Sequence, residues 1–257
     1  MSEQKTAKPR IAVFSLTSCE GCSLQILNCE DEILDLLTHV DVVNFREAID
    51  ERSEDYDIAF VDGAVSTRSD AEEARHIRSR AEVLVAIGAC ACTGGLNVLK
   101  NYQDPEQVRE RVYGADSEWM DTIEAQPLDA VVDVDVKLPG CPMSKEEFLH
   151  VVKAVLMGKK PTIPDYPVCV QCKLRETVCM FHRGQVCLGP IARAGCDAIC
   201  PTYGGRCVAC RGLISDPNSN SAKEVLAEHG MTVEQLLEEF RLYNGYYDVA
   251  KTAEGAP

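Results

Sequence analysis

Fourteen cysteines stand among 257 residues, and all but Cys29 fall into two groups. Cys19 and Cys22 form a C-x2-C, Cys90 and Cys92 lie in GACACTGG, and Cys141 lies in PGCP. Eight more crowd residues 169–213, in the order Cys169, Cys172, Cys179, Cys187, Cys196, Cys200, Cys207 and Cys210. In a reducing compartment, thiols at such spacing serve as metal ligands or redox groups rather than disulfides. Isolated buried cysteines behave as small hydrophobes, which suits one or two of the fourteen and not the clusters.

The first group supplies four thiolates: Cys19, Cys22, Cys141 and one of Cys90 and Cys92. Four thiolates fit a structural zinc or a cubane iron–sulfur cluster. Gly21, Gly88, Gly94, Gly95 and Gly140 favour the cluster, because they admit close backbone approach and N–H groups aimed at sulfide. A flavin-phosphate loop built on Thr17 and Ser18 would leave the other cysteines unexplained. No G-x-G-x-x-G or P-loop sequence is present, so no nucleotide is indicated.

The second group makes two sets of four. Cys196-x3-Cys200-Pro201 matches the closing half of a bacterial ferredoxin run. Each quartet has one C-x2-C and two single cysteines, which suits a cubane better than a double zinc ribbon. Six cations (Lys173, Arg175, Arg183, Arg193, Arg206, Arg211) face two anions (Glu176, Asp197) in this stretch, and positive charge favours the reduced state of an anionic cluster. His182 lies between ligand candidates and is read as structural, since eight thiols already suffice.

The elements that must position these groups follow from the pattern of apolar residues. Arg10–Leu16, Val40–Phe45, Asp57–Asp62, Val83–Ile87 and Val131–Leu138 read as five strands. A helical pattern covers Leu24 to Leu37, Ser69-Asp-Ala-Glu72 caps a helix to Arg80, and Ser144-Lys-Glu-Glu147 caps one ending near Gly158. Short apolar strands between helices predict an α/β fold with a flavodoxin-like, doubly wound parallel sheet. Loops after its strands emerge at one carboxyl edge, where such sheets bind ligands. Residues 101–126 read as an insertion with one helix, capped by Asp104 with Pro105 first. Residues 1–160 thus form one domain. Residues 161–257 form an irregular cysteine-rich second domain, closed by helices over Ala222–His229 and Val233–Tyr243, the latter capped by Thr232-Val-Glu-Gln235. The tail after Ala250 is expected to fray.

Hydrophobic residues make up 46% of the chain, enough for a buried core. The formal net charge of −15 argues against nucleic acid as a partner. No stretch approaches the ~20 apolar residues of a membrane span. The polar start, MSEQKTAKPR, has neither an apolar signal core nor a twin-arginine pair. A cytoplasmic location is expected.

The motifs together resemble the small, electron-transferring subunit of [NiFe] hydrogenases. They are Cys19-Glu-Gly-Cys22, Gly88-Ala-Cys90-Ala-Cys92-Thr-Gly94-Gly95, Pro139-Gly-Cys141-Pro142, Cys187-Leu-Gly-Pro190 and Cys207-Val-Ala-Cys210, in the family's order. The resemblance implies a proximal [4Fe-4S] cluster on Cys19, Cys22, Cys90 and Cys141, with Cys90 in the family's G-x-C place. It implies a distal cluster on Cys169, Cys172, Cys179 and Cys187, and a medial one on Cys196, Cys207 and Cys210. Many membrane-linked relatives carry histidine at the place of Cys169 and a three-iron medial core. Here Cys200 adds a fourth thiolate, which predicts three [4Fe-4S] clusters in all. Both departures resemble cytoplasmic hydrogenases coupled to soluble acceptors. Implied partners are a large subunit holding the Ni–Fe site and a flavin- or iron–sulfur-containing acceptor subunit. No catalytic residue is expected on this chain, and Glu20 is read as a charged loop residue. Cys29 and Cys92 remain outside the three quartets.

Overall fold

In the computed structural model, which describes residues 8–253, the apolar runs become strands β1 (Arg10–Ser15), β2 (Asp41–Phe45), β3 (Ile58–Asp62), β4 (Val65–Thr67), β5 (Val83–Ile87), β6 (Thr122–Gln126) and β7 (Val136–Leu138). Five of them form one parallel sheet in the order β2-β1-β3-β5-β7. Successive side chains of a strand point to opposite faces, and the two faces differ. Ile11, Val13, Ile58, Phe60, Val85 and Ile87 pack on one side with Phe148, Val151 and Val152. Ala12, Ala59, Val61, Leu84 and Ala86 pack on the other with Ala71, Ala74 and Ile77. Both faces are covered, as a parallel sheet requires. The strand order reverses between β1 and β3, which places the ligand-binding crevice there.

The helices are α1 (Gly21–Leu27), α2 (Asp31–Leu37), α3 (Arg68–Arg80), α4 (Gly88–Thr93), α5 (Pro105–Tyr113), α6 (Lys145–Leu156), α7 (Val168–Leu174), α8 (Ile199–Thr202), α9 (Ser219–Glu228) and α10 (Val233–Ala253). Some differ from the sequence pattern, each for a local reason. The expected helix over Leu24–Leu37 is two, because Glu30 adopts a positive φ of 43° while Cys29 is drawn wholly into the core. The cap of α3 is Thr67 rather than Ser69, in a reciprocal box with Asp70. The fifth sheet strand keeps only Val136–Leu138, since Leu128–Ala130 coil into a 3₁₀ turn and the Asp135 carboxylate accepts the Leu84 N–H at 2.8 Å.

The insertion holds α5 with Asp104 as its cap and Pro105 in its first turn. It also holds β6, which pairs antiparallel with β4 in a second small sheet. Ser144 caps α6, and Thr232 and Gln235 exchange both hydrogen bonds of a capping box before α10. Helix α10 continues to Ala253 with a kink at Asn244; the end of the expected frayed tail, 254–257, and most of the polar start, 1–7, lie outside the described residues. A third apolar cluster serves the cysteine-rich segment, and Cys187 and Cys207 are themselves part of it beside Val168, Met180, Phe181, Leu188 and Ile191. No described helix is long and apolar enough to cross a membrane.

Candidate iron–sulfur site

Three loops at the carboxyl edge of the sheet carry the first cysteine group, and they are tied to their neighbours. The loop after β1 is held to the loop after β3 by Thr17 and Ala64, which exchange backbone hydrogen bonds of 3.2 and 2.9 Å. The loop after β5 is held to the loop after β7 by the Ala89 N–H on Gly140 O at 2.7 Å. The Met143 N–H points at the Cys22 sulfur. Cys22 therefore faces Cys90 and Cys141, and Cys90 faces Cys141 and Cys19.

Glycine is required where backbone meets sulfur. A Cβ on Gly88, whose φ is +80°, would stand 2.4 Å from Cys22 Sγ. Such a side chain would fill the space the thiol occupies. Gly95 is similar, with a Cβ 3.1 Å from Cys90 Sγ. Left-handed backbone at Glu20, Asp197, Ala198 and Ala209, all within the cysteine loops, costs about 1–3 kcal/mol per residue.

The paired candidates separate clearly. Cys92 is buried under the sheet, with its Sγ 3.5 Å from Ala86 O, among Ala86, Ala91 and Leu128. Cys90 lies on the loop side, where Asn97 Nδ2 donates to its Sγ at 3.5 Å. Cys29 is a packing residue in the core, its Sγ against Gln25 O. The Thr17 hydroxyl donates to Asp70 at 2.8 Å and Ser18 Oγ accepts the Glu20 N–H at 3.1 Å, so both are engaged within the loop rather than presented to a flavin phosphate. Glu20 accepts from Ser15 Oγ at 2.6 Å and from Arg46 Nη2 at 2.5 Å.

The second group gathers around the third apolar cluster. Cys169 faces Cys187, Cys172 and Cys179. Cys210 faces Cys196, Cys141 and Cys200, and Cys207 faces Cys187, Cys210 and Cys196. The sets adjoin in series. Cys141 lines one cleft with Cys196, Cys200 and Cys210, and the Cys207 N–H donates to Cys187 Sγ at 3.4 Å. His182 is exposed, with its ring edge-on to His229 at 5.4 Å.

Burial dominates the acid–base chemistry of the site. It pushes the Cys90, Cys169 and Cys210 thiols up to about 12 and Cys172 to about 11, and Cys22 and Cys207 rise strongly for the same reason. Such thiols ionise only beside strong positive charge, which iron supplies. Four thiols supplied by adjoining loops are the donor set that a four-iron cubane takes, so the residues present fit a cluster.

Sequence reading missed several residues beside the thiols. Asp62, at the end of β3, is buried against Cys22 and Cys90, and burial raises its carboxyl to about 6. The Tyr243 hydroxyl, from α10, bonds to Cys141. Arg211 and Glu147 form a buried ion pair at 2.7 Å. A dense run of cysteines draws the eye away from such singles; only Arg211, adjacent to Cys210, carried a signal as part of the local cation excess. That excess is largely answered in the fold. Asp197 pairs with Arg175, Asp165 with Arg193, Glu239 with Arg206 and Glu147 with Arg211.

Residues 19–155, more than half of the chain, match the family model of the NADH ubiquinone oxidoreductase 20 Kd subunit. The chain belongs to that family. Within it, the relatives are small subunits of [NiFe] hydrogenases. The chain is 40% identical over 222 residues to sulfhydrogenase 2 subunit delta of Pyrococcus furiosus, covering 85% of this chain and 92% of that protein. It is 28% identical over 275 residues to a subunit of the vhu F420-non-reducing hydrogenase of Methanocaldococcus jannaschii, covering 94% and 95%. Among solved structures, an NAD+-reducing [NiFe]-hydrogenase in the H2-reduced state matches with a TM-score of 0.57 at 31% identity, covering 61% of this chain and 96% of that one. An actinobacterial-type NiFe-hydrogenase from Ralstonia eutropha H16 shares the fold over 97% of this chain, at a TM-score of 0.54 and 14% identity. The family and the fourteen cysteines together mark this small subunit as an iron–sulfur protein. The second cysteine block lies beyond the residues that the family model matches.

Proposed function

We propose that this chain is the electron relay of a cytoplasmic [NiFe] hydrogenase, conducting between a large subunit and an acceptor subunit through three [4Fe-4S] clusters. Cys19, Cys22, Cys90 and Cys141 hold the proximal cluster. Cys196, Cys200, Cys207 and Cys210 hold the medial one, and Cys169, Cys172, Cys179 and Cys187 the distal one. The observation that supports this reading is that the three quartets adjoin in series: Cys141 lines one cleft with Cys196, Cys200 and Cys210, and the Cys207 N–H donates to Cys187 Sγ at 3.4 Å. Hydrogen is activated on the large subunit, because every C-x2-C of this chain is already engaged. The acceptor subunit carries flavin or iron–sulfur groups and meets the distal quartet, where Cys179 is exposed.

The clusters, when bound, supply one-electron storage at three points. The chain's own residues do the rest. Loop glycines and left-handed turns set the thiol positions, the Cys207 N–H and Asn97 Nδ2 donate to the Cys187 and Cys90 sulfurs, and Met143 and Tyr243 lie against Cys22 and Cys141. Hydrogen bonds to sulfur, burial and nearby charge are the terms that tune a cluster's potential. The fold excludes water from the buried thiols and fixes their spacing.

The native complex, purified without oxygen, tests the reading. It should be brown, take up hydrogen and contain about 12 iron and 12 labile sulfide per chain. A colourless zinc protein would overturn it in favour of a zinc-stabilised scaffold. A brown complex without nickel or hydrogen uptake would instead make the chain a relay in a related redox complex.

A further inference from the structure

The Arg211 side chain bonds to the loops of two cysteine quartets at once. Its Nε donates to Ala194 O at 2.7 Å, two residues before Cys196. Its Nη1 donates to Pro139 O at 2.7 Å, two residues before Cys141. Its Nη2 donates to Glu147 Oε1 at 2.7 Å. The guanidinium lines the same cavity as Cys141, Cys196, Cys200 and Cys210. Both partners of the pair are buried, with side chains 2% and 8% exposed.

The surroundings are built for this pair. Gly195 has φ +114°, and a Cβ there would stand 2.4 Å from Arg211 Nη2 and 2.9 Å from Glu147 Oε1. Yet the pair is a poor device for stability. Two charges taken out of water lose several kcal/mol of solvation each, and a well-packed apolar pair is often as stable. Glu147 Oε2, moreover, is buried without a hydrogen-bond partner. What the guanidinium does supply is a permanent positive charge beside the loops of two cysteine sets. A guanidinium cannot be deprotonated in a protein, so its charge stays fixed while electrons pass. The carboxylate, bound to the outer Nη2, offsets part of that charge.

We propose that Arg211 and Glu147 jointly set the potentials of the proximal and medial clusters, Arg211 as a fixed cation between them and Glu147 as its partial counterion. Arg211 raises both potentials together, and Glu147 limits the rise. Each passage moves one electron with no bond made and no proton transferred at this pair. The inference rests on the cluster assignment above.

The test uses the native complex and electron paramagnetic resonance during a redox titration of the wild type, Glu147→Gln, and the double variant Arg211→Met with Glu147→Gln. Glutamine is nearly isosteric and keeps an acceptor for Nη2, so Glu147→Gln should fold. It unmasks the cation, and the reduced-to-oxidised ratio of both clusters at a fixed potential should rise on the order of tenfold, or about 59 mV for one electron. The double variant should shift the ratio the other way, below the wild type. The distal cluster should move least. A purely structural pair gives no such opposed shifts. Unmoved potentials, or shifts of one sign in both variants, would overturn the inference. If the double variant does not assemble, an unchanged or lowered ratio in Glu147→Gln alone does so. A wild type without cluster signals is a separate outcome, which refutes the cluster reading itself.

Discussion

The two cysteine groups are held by different physics. The first sits on loops whose ends are fixed by strands β1, β5 and β7, and those strands are joined with β3 by backbone hydrogen bonds. Its four thiols are guests of a scaffold stabilised by two apolar clusters. The second group has no sheet, only short helices α7 and α8, and its apolar cluster includes two of its own cysteines. Here the proposed ligands are part of the core. On the proposed assignment the first site is preorganised by the fold, and the second helps to make its fold, as small metal-dependent domains do.

Removing iron from the full chain should expose this contrast most strongly. Amides of residues 168–213 should lose their protection from hydrogen exchange, while those of β1, β3 and β5 keep theirs. Simultaneous loss in both regions would break the comparison. Next in size is Gly88→Ala, which sets a methyl group 2.4 Å from Cys22 Sγ at a positive φ. The proximal cluster should be lost and iron should fall by about one third, to about 8 of 12 atoms per chain, with the sheet's circular dichroism unchanged. Iron analysis and spectra of the native complex decide it.

A subtler change is Cys200→Ser. Cys200 is exposed, so its removal should cost the medial site one iron and yield a three-iron signal, leaving the proximal signal intact. An unchanged spectrum would remove Cys200 from the ligand set. Smallest is Cys92→Ala, which trims a side chain buried under the sheet. Stability should fall by about 1 kcal/mol in denaturant titration, with iron content unchanged. Iron loss in this variant would exchange the roles of Cys90 and Cys92.

Much of this was legible in the chain. The five strands announced themselves because each contains a short apolar run, β3 and β5 being buried on both faces, and the parallel sheet then sends the loops of Cys19, Cys90 and Cys141 to one edge. Strand β6 was hidden, since TIEAQ is too polar and short to stand out and forms only by pairing with β4. The break between α1 and α2 was hidden too, because the apolar period runs on through it while Glu30 turns the backbone.

Ligand chemistry, ligand count and the order of motifs are properties of the sequence by itself, because a thiol's affinity for iron and a glycine's freedom near it are local. The choice between Cys90 and Cys92 is not local. Two residues apart on one short helix, they point to opposite sides, and only the packed sheet says which side is core. The same holds for Arg211, Glu147 and Tyr243. They come from segments far apart in the chain, and a charge or hydroxyl gains influence over a cluster only when folding brings it close and removes the water between.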